Sequence, residues 1–95
     1  MGERFFATVH DRTVGGNVVV RGVHACWFGL IRSTVAGTVK VVGNPFGDPD
    51  ADEIVTNTIA GNLSCFNNVP AAQLGDSMGS PNTVGGQKRG ECKNL

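Results

Sequence analysis

Thr13-Val14-Gly15-Gly16-Asn17 is the stretch that decides the fold, because it returns three times. The copies are Thr34-Val35-Ala36-Gly37-Thr38, Thr58-Ile59-Ala60-Gly61-Asn62 and Thr83-Val84-Gly85-Gly86-Gln87. Each reads Thr, a β-branched apolar residue, a small residue, Gly, and a polar residue. Their starts lie 21, 24 and 25 residues apart. A unit of this length repeated along a chain predicts a solenoid, in which each turn covers the open face of its neighbour.

Outward from each copy the pattern has a period of two, the signature of a strand. Val14, Gly16, Val18 and Val20 alternate with Gly15, Asn17, Val19 and Arg21. The same alternation follows at Val35, Gly37, Val39, Val41 and at Ile59, Gly61, Leu63, Cys65. Superimposed, these positions predict three inward apolar columns and one inward glycine column. Asn17, Thr38, Asn62 and Gln87 share a corner column, where Asn tolerates left-handed backbone angles and hydrogen-bonds its own turn. No six-residue aliphatic rhythm is present and Leu is scarce, so the hexapeptide helix and the leucine-rich repeat do not fit. The expected fold is all-β, a parallel β-helix (β-solenoid) of three to four short coils in a single domain. Residues 1–12 form an N-terminal cap or truncated coil. Coils span 13–33, 34–57 and 58–82, and 83–95 is a C-terminal cap. The unequal middles at 23–31, 43–53 and 66–82 are where function is expected.

Composition narrows the classes. Of 95 residues, 14 are Gly and 17% are charged, which suits many turns between strands. The formal net charge is zero, which leaves no basic footprint for nucleic acid. Lys88, Arg89 and Lys93, interrupted by Glu91, read as a solvated chain end. The longest apolar stretch, 23–31, is broken by His24 and Gly29 and falls short of a membrane span.

Cys26, Cys65 and Cys92 form no Cys-x-x-Cys pair, and His10 and His24 are not at zinc-ligand spacing from them. The fourth copy loses its apolar strand and turns polar at Gln87-Lys88-Arg89-Gly90. Cys92 then falls above the third coil, near inward Cys65, and a disulfide is expected there. The alternative is a buried Cys65 thiol acting as a small apolar group.

The repeat phrase, with Gly61-Asn62-Leu63-Ser64-Cys65, Ser80-Pro81-Asn82 and Gly90-Glu91-Cys92, resembles secreted repetitive proteins of actinobacteria that carry tandem Thr-Val-x-Gly-Asn units. The resemblance covers residues 13–92. It implies a right-handed parallel β-helix outside the cytoplasm, secreted or at the cell surface. It implies no site residues. The segment Met1-Gly2-Glu3-Arg4-Phe5-Phe6 does not read as a signal peptide, which leaves a cytoplasmic protein or a mature or truncated piece of an exported one; the repeats favour the second.

Four groups of residues carry possible chemistry. Asp48, Asp50, Asp52 and Glu53 alternate along one loop and could offer oxygens to a calcium ion; the bland alternative is a solvated acidic turn. The same carboxylates are candidates for the acid and base of a polysaccharide-cleaving β-helix. His24 and Cys26, two apart, fit a Cys–His pair if the segment is a strand, against simple apolar packing. Thr13, Thr34, Thr58 and Thr83 form an outward ladder, read as a turn ladder ahead of an ice-binding surface. Trp27 and Phe28, adjacent on a strand, point to opposite faces. With Phe5 and Phe6 they are the expected interface. The functional expectation is a non-enzymatic extracellular structural module, a homo-oligomer through its N-terminal end or the Trp27-Phe28 run. The rival is a carbohydrate-binding or polysaccharide-cleaving β-helix. No cofactor is expected apart from the calcium just named.

Overall fold

A computed structural model describes residues 6–23, 27–47, 51–74 and 80–95. Those residues form an all-β parallel solenoid of about three turns. The first coil holds β1 (Phe6–His10), β2 (Thr13–Val14) and β3 (Val18–Arg21). The second holds β4 (Trp27–Ile31), β5 (Thr34–Val35) and β6 (Val39–Val42). The third holds β7 (Glu53–Val55), β8 (Thr58–Ile59) and β9 (Leu63–Phe66). A partial fourth is closed by β10 (Thr83–Val84) and β11 (Lys88–Gly90). Corresponding strands stack into three parallel sheets, β1-β4-β7, β2-β5-β8-β10 and β3-β6-β9-β11. The repeat phrase is therefore the second strand and following corner of each coil. Residues 6–10 are already a ladder strand, paired from Phe6 opposite Trp27 to His10 opposite Ile31.

The apolar columns are those the alternation predicts. Val14, Val35, Ile59 and Val84 stack in register, as do Val18, Val39 and Leu63, and Val20, Val41 and Cys65. Their middle members are buried to 1% exposure or less. The glycine column is different. Gly37, Gly61 and Gly86 lie at the corner between two short strands, so the period of two does not run through them. A Cβ there would stand 2.9, 2.7 and 2.8 Å from the carbonyl oxygen of the stacked glycine in the coil before. Glycine is required by backbone approaching backbone, and each N–H in the column donates to that same carbonyl.

The corner polar column is also wired differently from expectation. Asn17 Oδ1 accepts from Thr38 N at 2.8 Å, Thr38 Oγ1 from Asn62 N at 3.3 Å, and Asn62 Oδ1 from Gln87 N at 2.9 Å. The side chains serve the next coil, because the tight corner turns a backbone N–H toward the coil before it.

Two further ladders are buried. Asn57 accepts from Ser33 N while its Nδ2 donates to Leu30 O and to Asn82 Oδ1. Asn82 in turn donates to Ile54 O. Asn44 accepts from Val23 N, and Asn68 accepts from Asn44 through both N and Nδ2. These amides satisfy backbone groups at buried and partly buried turns. Ser33, Asn57 and Asn82 each stand directly before the Thr of a repeat phrase, where a polar residue marks a turn, but nothing in the sequence marks them as buried.

Candidate functional site: the two ends and the outer faces

The two ends of the solenoid are built to different standards. At the C-terminal end the chain turns back after Gly90. Glu91 accepts from Asn68 N, Asn68 Nδ2 and Ala72 N at 2.9–3.0 Å and so terminates the Asn44–Asn68 ladder. The Leu95 carbonyl accepts from Asn82 N and Nδ2 and terminates the other. Cys92 and Leu95 are buried in the interior, and Cys92 is disulfide-bonded to Cys65, with Cα atoms 5.4 Å apart. The expected bridge is present.

The N-terminal end has no such plug among the described residues. Val9, Val14, Val18 and Val20 are only partly buried, whereas Leu30, Val35, Val39 and Val41 beneath them in the same columns are fully so. The clearest sign is at the glycine column. A Cβ on Gly16 would meet nothing within 4 Å, although its three equivalents are sterically obligatory. The first coil thus carries a complete stacking corner whose outer side meets no other described residue.

The expected interface residues divide. Phe28 is 3% exposed and stacks on Phe46, ring centroids 5.9 Å apart, so it is a core residue and not a surface anchor. The reason is strand parity: Phe28 and Leu30 point inward. Trp27 points outward and is half-buried, its ring lying over the outer face of Gly29, where a Cβ would collide with it. Phe6 sits on β1 opposite Trp27. Phe5 lies outside the described residues, as do His24 and Cys26.

Of the acidic loop, Asp48 and Asp50 lie outside the described residues. Asp52 and Glu53 are both buried, at 0% and 3% exposure, and do not present carboxylates to a groove. Both oxygens of Asp52 lack a hydrogen-bond partner. Burial, reinforced by the nearby Glu91 charge, pushes the Asp52 carboxyl up to about 7. Among the described residues no group of three or more His, Cys, Asp or Glu is placed to hold a metal.

Two outer features emerge that the sequence did not single out. At one corner Arg32 grips Asp11 with Nε to Oδ1 at 2.9 Å and Nη2 to Oδ2 at 3.1 Å, and its Nη2 lies 2.6 Å from His10 Nε2. The bond from Arg32 holds the Asp11 carboxyl below its ordinary range. These residues are exposed and one coil apart, which the repeat spacing of 21 would have revealed. The other feature is the outer face of the β3-β6-β9-β11 sheet, where Arg21, Lys40 and Arg89 are exposed. The Thr ladder is present and exposed, in register at Thr13, Thr34, Thr58 and Thr83. Among the described residues no helix is long and apolar enough to cross a membrane. Comparison with protein-family models, with curated proteins and with solved structures gives no match to the chain.

Proposed function

We propose that the chain is a non-enzymatic extracellular structural module that pairs with a second copy through the N-terminal end of its solenoid. The observation that carries this is the contrast within single columns: Val14, Val18 and Val20 are half-exposed where Val35, Val39 and Val41 are buried to 1% or less. An apolar end of this kind, ringed by strand edges, invites edge pairing. The opposite end is closed by Glu91, Cys92 and Leu95, so contact between two N-terminal ends gives a closed pair and not a fibre. The disulfide supports an oxidising compartment, outside the cell or at its surface. Light scattering over a concentration series is expected to return twice the chain mass, and Val18→Lys is expected to return the monomer with its melting temperature nearly kept. A wild-type monomer at millimolar concentration would overturn the reading.

A further inference from the structure

We propose that the outer face of the β3-β6-β9-β11 sheet is a docking surface for an anionic polysaccharide of the uronate class. The face lies along the side of the solenoid, so the proposal is independent of end-to-end pairing.

Parallel stacking assembles this surface from residues far apart in sequence. Val19, Lys40, Ser64 and Arg89 form one column, in register across four strands, in which Val19, Lys40 and Arg89 are exposed and Ser64 is buried. Arg21, Val42 and Phe66 form the next. Lys40 and Arg89 are two strand spacings apart, roughly 10 Å. None of the four strands carries an acidic residue, and none occurs in 12–47, 54–75 or 77–90. The described carboxylates are engaged or hidden elsewhere. Asp11 is held by Arg32, Asp52 and Glu53 are buried, and Glu91 is taken up by three N–H groups of Asn68 and Ala72. Among the described residues this face therefore carries positive charge only, in a chain of zero formal net charge.

The spacing of that charge selects the partner. Duplex DNA carries a charge about every 1.7 Å of its axis, and proteins that bind it present dense basic clusters. Here the cations are sparse: Lys40 and Arg89 have the buried Ser64 between them, and exposed apolar side chains flank them, Val19 at 60% beside Lys40 and Phe66 at 43% in the neighbouring column. A uronate chain has the matching alternation: carboxylates at sugar-length intervals, with C–H faces of the rings between them. The Phe66 ring lies over Gly90, where any Cβ would stand 2.7 Å from it, so the ring is backed by main chain and offers a fixed platform. Gln87 Oε1 accepts from Arg89 Nε and Nη2 at 3.0 and 2.8 Å and sets the plane of that guanidinium, leaving donors free for a carboxylate.

The test is titration of the whole chain with polygalacturonate, with neutral dextran and single-stranded DNA as comparison polymers, at low and at physiological salt. Wild type is expected to bind polygalacturonate, more tightly at low salt, and not dextran. The double variant Lys40→Gln, Arg89→Gln is expected to weaken binding by about tenfold or more, from two lost charge-assisted contacts. Arg12→Gln, Arg32→Gln removes the same net charge away from the sheet and is expected to change binding by less than about twofold. Melting temperatures confirm that both variants fold. The proposal is overturned if wild type does not bind polygalacturonate at low salt, if the two double variants weaken binding equally, or if single-stranded DNA binds more tightly.

Discussion

Asp52 shows how much one side chain can set. Its carboxyl is buried without a hydrogen-bond partner, beside a second carboxylate, and holds its proton up to about pH 7 against an ordinary 3.8. The folded state therefore binds a proton that the unfolded state has released throughout that interval. The contribution of Asp52 to stability is fully present below about pH 4, is lost as pH rises toward 7, and levels off above it. The full difference is about 4 kcal/mol. Urea unfolding between pH 4 and 8 is expected to show this decline, and Asp52→Asn is expected to flatten it. A wild-type profile that rises with pH would contradict the assignment. Nothing in the residues around Asp52 points to this role. Asp48-Pro49-Asp50-Ala51-Asp52-Glu53 reads as a solvated acidic turn or a calcium loop, because nothing local announces that the chain re-enters the core at Ala51.

At the level of the strand and its corner, the repeat phrase was largely legible. Thr outward, Val or Ile inward and the two-residue alternation after it give the ladders directly, and Cys65 falls in an inward column from which Cys92 is reachable. The corner was misread because a period of two assumes continuous strand, whereas Ala36, Gly37 and Thr38 turn the chain between β5 and β6. Which glycines matter then depends on what lies above them. Gly61→Ala would drive a Cβ against the Gly37 carbonyl and is expected to cost about 2–4 kcal/mol in equilibrium unfolding. Gly16→Ala meets nothing and is expected to change monomer stability by less than about 1 kcal/mol. Equal costs at the two positions would mean that Gly16 already has a partner. The buried Asn44–Asn68 and Asn57–Asn82 pairs escaped the sequence reading for a simple reason: Asn before a strand is the ordinary mark of an exposed turn.

For the whole molecule, each coil contacts its neighbours and little else, so stability is close to a sum along one axis. The sum is uneven. The C-terminal end carries the disulfide, whose closure over a separation of 27 residues stabilises by about 3–4 kcal/mol in the chain-entropy model, and two capped amide ladders. The N-terminal coil has neither. Hydrogen exchange on the dilute protein is expected to be fastest in β2 and β3 and slowest in β8 and β9, with reduction of Cys65–Cys92 raising exchange in β9 and β11 first. Uniform protection along the axis would show the coils to be one cooperative block. The phrase at Thr34 and its match at Thr58 carry one more consequence. Because Ser33 and Asn57 occupy the same corner of successive coils, the chain leaves residues 34–57 in the register at which it entered them. The protein is in this sense a ruler graduated in coils: its length can change by one division, about 4.8 Å, while both ends and every column keep their place.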